Sequence, residues 1–504
     1  MRSILKHHSM GATLRGIDKD RVTQFRGIPY GHIPQRFAAA EKINEYPKEL
    51  DCTTFGPRCP QVPVDVGHLL RIPPEHEFPY EGEDEFKCTN LDVTMPRLDS
   101  IDGSKKLPVF VWIHGGSQAV TFGSAASGVC GMDNMTTIVT DSIRSGTPII
   151  AVSLQYRLNI FALGFKSGPP NLALRDQELA LHWIQNHIAG FNGDPQKVTL
   201  AGESAGAVYT HAHLVTQAPA NQFILSSGSL YLSPPQPSTA VSNVRKSVSK
   251  QLRDMDVKLT LENATVTDVV EGVKRAGLGS FFLEWEERFD GWEISAGSAR
   301  ALMVSDVQKE AVIWQSGILG MDVNDIVSAF DAAGKHGEEL KKLYHIHPER
   351  PSFCKIGALD LINDLRFVLP IQRIEQRWRE ASKPVYRCLI DETNPWQPSS
   401  GAHHAVDLIL LFEGFDLSFA PAAQKTGRAM REAWIKFVNM REPWPNASSS
   451  TYAFGPHGSC KELEDWELQS RRRVTQTNRL ASMDMVLLTK AFITLAAGKV
   501  SLLN

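Results

Sequence analysis

The residues with the most chemical promise lie in the segment Val198-Thr-Leu-Ala-Gly202-Glu-Ser204-Ala-Gly206. It sets a serine between two glycines, G-x-S-x-G, just after an apolar β-rich run and just before an apolar helical pattern. A strand-to-helix turn of this kind holds its serine in a strained conformation, and the flanking glycines let neighbouring backbone pass close by. The turn aims the hydroxyl at the end of a sheet and at a helix N-terminus, where N–H groups receive an oxyanion. The bland alternative is a tight turn with an idle serine, and the rest of the chain decides between them. A serine hydroxyl is a poor nucleophile at neutral pH, so it needs a general base and preformed donors. Trp112-Ile-His114-Gly115-Gly116-Ser117, a run of small residues just past another strand, offers such donors. The backbone N–H groups of Gly116, Ser117 and Ala205 are the candidates. The chemistry would be acyl transfer through a covalent serine intermediate, with no metal and no cofactor.

Several elements must position these groups. Val109–Ile113 and Ile149–Leu154 are short β-rich apolar runs that suit buried strands of a parallel sheet. Gln177–Ile188 gathers Leu179, Ala180, Trp183, Ile184 and Ile188 on one helical face. Asn192–Pro195 (NGDP) signals a stop and a turn, followed by a strand over Lys197–Leu200. Strands that alternate with helices predict an α/β architecture. From about 230 to 380 the pattern is mostly helical, which reads as an insertion over one edge of the sheet. Val385–Ile390 is a late strand, and Ala481–Lys499 is an apolar helix expected to pack on the core. No internal repeat is visible, and residues 1–504 read as a single domain.

Composition narrows the partners. The 504 residues are 42% hydrophobic and 22% charged, ordinary for a chain that buries a large core. Lys+Arg 53 against Asp+Glu 56 leaves a net charge of −3, so there is no basic field to hold nucleic acid. No run of about 18 apolar residues exists, so no membrane span is expected. The first twenty residues, MRSILKHHSMGATLRGIDKD, are broken by Lys6, His7, His8 and Arg15, and a secretory leader needs an uninterrupted apolar stretch. An intracellular, cytoplasmic location is therefore expected. Seven cysteines fit reduced thiols better than a disulfide framework, and no C-x-x-C or H-x-x-x-H spacing supports a metal site.

With these motifs in order, the chain resembles the type B carboxylesterase family, the cholinesterase-like branch of the α/β-hydrolases. Phe25-Arg-Gly-Ile-Pro-Tyr30 resembles its F-x-G-I-P-Y signature, and Pro34-Gln-Arg36-Phe37 its P-x-R-F. The HGG loop, Tyr156-Arg157, Asp176-Gln177, Phe191-Asn-Gly-Asp-Pro195, the Gly-Glu-Ser-Ala-Gly elbow, Ser227-Gly-Ser229 and Trp434…Phe437 follow in family order. The likeness runs from about Gln24 to Trp444. It implies an α/β-hydrolase fold, with a mostly parallel sheet flanked by helices and a helical insertion over the active site. It also implies a serine hydrolase acting on a small-molecule carboxylic ester, with a Ser-Glu-His triad in that chain order.

The resemblance assigns Ser204 as nucleophile. Met303-Val-Ser-Asp-Val-Gln-Lys-Glu310-Ala carries the acid over to Glu310, with Asp306 as the alternative carboxylate and Ala311 in place of the family's glycine. Ser400-Gly-Ala-His403-His404-Ala-Val-Asp407-Leu408 resembles G-A-x-H-x-x-D/E-L, whose spacing selects His404 over His403. His404 would take the serine proton, with an ordinary pKa near 6.5, while Glu310 fixes its tautomer. Glu203, beside the nucleophile, reads as an organiser of field and water, or as an acid favoured by the helix N-terminus. Ser117 replaces the third glycine of the oxyanion loop. Cys59 and Cys88 resemble the family's first disulfide pair, and here are expected as neighbouring thiols. Phe86 stands where an acid usually pairs with the arginine matched by Arg36, so Asp84 or Glu85 must replace it. The same triad would serve an acyltransferase with an alcohol or amine acceptor. A non-catalytic member of the family would be expected to lack the serine.

Overall fold

The computed structural model describes residues 2–76, 82–122, 135–164, 168–445, 447 and 449–500. Its strands in chain order are β1 (Arg2–His7), β2 (Ala12–Lys19), β3 (Val22–Pro29), β4 (Gly31–His32), β5 (Glu41–Lys42), β6 (Glu49–Asp51), β7 (Asn90–Pro96), β8 (Leu107–Ile113), β9 (Ile150–Leu154), β10 (Gly193–Glu203), β11 (Gln222–Ser226), β12 (Ala301–Val307), β13 (Val385–Ile390), β14 (Thr451–Phe454) and β15 (Cys460–Leu463). β4 and β5 pair with each other, and the rest form one sheet in the order β1-β2-β3-β7-β9-β8-β10-β11-β12-β13-β14-β15, with β6 beside β2. Pairs from β9 across to β14 are parallel. The two edges are antiparallel except for β6, which runs parallel to β2. This is the mostly parallel, helix-flanked sheet of the α/β-hydrolase fold.

The central strands are apolar throughout because both faces are covered. Every residue of β8 (LPVFVWI) and β9 (IAVSL) is buried. Side chains alternate across the sheet: Val109, Val111 and Ile113 join a core with Trp183, Ile184 and Phe191. Phe110 and Trp112 join the opposite core with Phe412, Trp434 and Phe437. The Trp112 and Phe412 rings meet edge to face at 5.1 Å. Some family motifs are structural here. Arg157 donates to both carboxylate oxygens of buried Asp176, at 2.8 and 2.6 Å.

Boundaries differ from the sequence reading for local reasons. The helix read at Gln177 begins at Leu172 and closes in a 3-10 turn, Ile188–Phe191, ended by Asn192 at φ +68°. The NGDP turn shrinks to Asn192, since β10 already starts at Gly193, with an irregular register between Gly193 and Val198. The apolar helix read over Ala481–Lys499 is two elements. One helix ends at Ala481, and Asp484 caps a second, Met485–Ala496, by accepting the Val486 N–H at 2.8 Å. The helical stretch from 230 to 380 is interrupted by β12, buried at every position inside the sheet. Helices before β12 contribute Val241, Val248, Leu252 and Val269 to the first core. Those after it gather with the C-terminal helices around Phe330, Leu361, Leu488 and Leu495. No helix among the described residues is long and apolar enough to cross a membrane.

Cys59 and Cys88 are buried free thiols, and the nearby Cys59, with burial, raises the Cys88 thiol well above its usual range. Arg36 pairs with Glu85 through Nε at 2.6 Å and Nη2 at 2.7 Å. Glu85 thus takes the place of the acid missing at Phe86. Asp84 instead accepts the Phe86 N–H at 2.8 Å.

Candidate active site

The chain leaves β8 for β9 on one side and returns to β10 on the other. In an open α/β sheet, the crevice beyond the carboxyl ends at such a reversal is where ligands bind. Gly202 on β10 pairs with Ile113 on β8, so the two segments that follow, His114–Ser117 and Ser204–Gly206, emerge side by side.

Ser204 sits at φ +55°, ψ −122°, between β10 and the helix Ala205–Val215. This is a sparsely populated conformation for a residue with a Cβ, and it is stored where the turn is sharpest. Its hydroxyl therefore projects from the backbone, while its N–H bonds the Ser226 carbonyl at 3.0 Å. Gly206 is required by close approach, since a Cβ there would lie 2.1 Å from the Ile113 carbonyl oxygen. The loop after β8 is coiled to match: Gly116 is at φ +110°, Ser117 at +55° and Gln118 at +59°. A left-handed position explains why glycine suits position 117, and Ser117 is held there with its carbonyl accepting the Phe281 N–H at 2.9 Å. The Ala119 and Val120 N–H groups bond the Gly116 carbonyl at 2.9 and 3.0 Å, fixing the turn. Tyr156 braces the loop by donating to the His114 carbonyl at 2.6 Å.

His404 and Glu310 arrive on paired loops. The Lys309 N–H bonds the Ala402 carbonyl at 2.9 Å, and the His404 N–H bonds the Lys309 carbonyl at 3.2 Å. That pairing sets Glu310 beside His404. His404 Nε2 lies 2.9 Å from Ser204 Oγ, and Nδ1 lies 2.6 Å from Glu310 Oε2. Glu310 Oε1 accepts the Val307 N–H at 2.8 Å, and its own N–H donates to Asn363 Oδ1 at 2.8 Å. Ala311 lies in a 3-10 turn, Glu310–Trp314, a conformation that needs no glycine. Asp306 does not reach His404; its carboxylate is taken by Arg472. His403 points away, with Nδ1 2.9 Å from the His404 carbonyl and Nε2 2.9 Å from Asn394 Nδ2.

The field at the site is strongly negative. Burial alone disfavours the His404 imidazolium, but Glu203, with Oε1 3.3 Å from Nε2, and the Glu310 carboxylate outweigh it and raise His404 to about 9. This departs from the ordinary value near 6.5 that the sequence suggests. Burial raises Glu203 well above the usual carboxylate range, and burial with the Glu310 charge pushes Asp407 to about 7. Burial lowers His403 to about 4, which keeps it neutral.

Ser117, Ser204 and Ala205 line a cavity of about 230 Å³. Its other walls include Trp314, Arg366 and Phe492. The Phe367 ring packs 5.7 Å from that of His404. Sequence reasoning missed Asn363, Arg366, Phe367 and Phe492. A π-helical turn, Asp364–Val368, follows the helix Pro351–Asn363, and such turns often mark functional sites.

A model of the carboxylesterase family matches residues 6–275. The chain is 31% identical to Lipase 1 of Yarrowia lipolytica over 87% of each chain. It is 27% identical to phenmedipham hydrolase of Pseudarthrobacter oxydans, over 86% of this chain and 90% of that one. The fold is similar to that of a PNB esterase, with a TM-score of 0.72 at 22% identity over 94% of this chain and 99% of that chain.

Proposed function

This chain belongs to the carboxylesterase family, and on that premise we propose that it hydrolyses a small-molecule carboxylic ester through an acyl-enzyme on Ser204. The reading is carried by the bridge that His404 makes between Ser204, at 2.9 Å, and Glu310, at 2.6 Å. Ser204 Oγ attacks the ester carbonyl while its proton passes to His404 Nε2. The carbonyl oxygen gains the negative charge and is received by the N–H groups of Gly116, Ser117 and Ala205. The C–O bond to the alcohol breaks, and the alkoxide leaves with the proton from His404. Water then attacks the acyl-enzyme, gives its proton to Nε2, and the returned proton frees Ser204 and a carboxylic acid. Glu310 holds the Nδ1–H tautomer and offsets the imidazolium charge in each half. Glu203 adds to that offset, and Asn363 steadies the acid loop. An alcohol or amine in place of water would use the same groups, and product analysis with and without an acceptor separates the two outcomes.

The test is covalent labelling. A fluorophosphonate should add once, at Ser204, and Ser204→Ala should lose both label and turnover, down to the roughly 10³–10⁴-fold rate over water that binding and the oxyanion hole sustain. Labelling of the alanine variant at another serine would remove the mechanism.

A further inference from the structure

We propose that Arg366 makes this site selective for esters that also carry a carboxylate, on either the acyl or the alcohol arm. The proposal rests on the hydrolase reading above and names the substrate class for it. Arg366 is the one charged side chain among the described residues lining the cavity that opens onto Ser204. It is half-buried there. One Nη2 proton goes to the Leu232 carbonyl at 2.6 Å, and the guanidinium lies over the Phe492 ring, 4.2 Å from its centre. Nε is buried with no hydrogen-bond partner, and no carboxylate among the described residues pairs with the group.

Even the buried arginines Arg157, Arg431 and Arg472 are paired. Arg157 carries Asp176, Arg431 carries Asp141 and Glu413, and Arg472 carries Asp306 and Asp391. A desolvated cation without an anion is costly, and burial lowers Arg366 to about 10. If its task were only to hold Phe492 and the terminal helix, an apolar side chain would pack there without that cost. The uncompensated charge faces the space where substrate must lie. A guanidinium presents parallel N–H donors that match a planar carboxylate; Nε is sealed from the cavity, and Nη1, which makes no hydrogen bond and is not buried, is the donor open to it. Ser117, Gln118, Ser233 and Ser280 line the same cavity with further polar groups and, among the described residues, no competing anion. A substrate carboxylate supplies the missing counter-charge and is held by it.

Two matched pairs of esters test this in a pH-stat: monoethyl adipate against ethyl hexanoate, and 4-acetoxybutanoate against butyl acetate. The first pair places the carboxylate on the acyl arm and the second on the alcohol arm. In at least one pair the anionic ester should show a kcat/KM roughly tenfold or more above its neutral match, shrinking as salt screens the contact. Arg366→Met should cut that ratio by roughly tenfold or more, and Arg366→Lys should keep part of it. Adipate should also slow fluorophosphonate labelling of wild-type Ser204 more than 1,6-hexanediol does, a readout that needs no variant. Neutral esters turned over with no carboxylate preference, or a ratio unmoved by Arg366→Met, would overturn the role of Arg366 and leave the hydrolase reading standing. Equal protection by adipate and the diol would do the same. An unlabelled Ser204 with none of the four esters cleaved would overturn both.

Discussion

Two centres of buried charge lie within a few residues of each other at the end of β12, and they are neutralised in opposite ways. At Asp306, guanidinium groups supply the balance: Arg472 engages the Asp306 carboxylate and donates to Asp391 at 2.9 Å, and Arg471 reaches Asp391 at 2.9 Å. Around Glu310, three buried acids, Glu203, Glu310 and Asp407, share a single histidine. An arginine's charge is permanent, so the first centre is locked. A histidine's charge is optional, so the second answers by moving its protons: His404 rises to about 9, Asp407 to about 7, and Glu203 well above its usual range. The same strand thus ends in one centre whose charge is fixed and one whose charge can change.

The largest test of this contrast is His404→Ala. It removes the histidine that the three acids share and should cost about 10⁴–10⁶ in kcat. His403→Ala should cost far less, because that ring bonds Asn394 and the main chain and never faces Ser204. Steady-state kinetics on both variants decides it, and a dead His403→Ala beside a working His404→Ala would break the contrast. Next in size is Arg472→Met, which leaves Asp306 and Asp391 buried without their shared partner. It should destabilise the fold by about 3–5 kcal/mol, read as a fall in the denaturant midpoint. A smaller effect sharpens the picture. The free enzyme needs a neutral imidazole, so kcat/KM should rise with pH through about 9 rather than near 6.5. Glu203→Gln removes the largest contribution that raises His404, so this limb should move down towards 6.5. A pH–rate profile that did not move would assign the shift to Glu310 and Asp407.

Much of this was legible along the chain. The elbow at Ser204 and the loop at Gly116 follow from small residues placed after apolar β-runs. That pattern is local, and it survives whatever packs around it. The antiparallel edge strands β1 to β3 and β7 were not read. β2 alternates buried residues with half-buried or exposed ones, and β1 buries only His7 among its described side chains, without the long apolar runs that mark β8 and β9. The division of the C-terminal helix hinges on Asp484 as a cap, which an apolar count overlooks.

What the sequence determined by itself, then, is the order of the central elements and the placing of the Ser204 elbow and the Gly116 loop just past apolar β-runs, because short-range spacing and apolar patterning carry both. Choosing His404 over its neighbour already needed the resemblance. Tertiary structure alone decided the surroundings. Asn363 reaches Glu310 across 53 residues, and Arg366 and Phe492 meet across more than a hundred, with no periodicity that announces either contact. The charge state of His404 was decided there too. A pKa depends on which groups lie within a few ångströms and on how much water is kept away, and both are properties of the fold rather than of any stretch of chain.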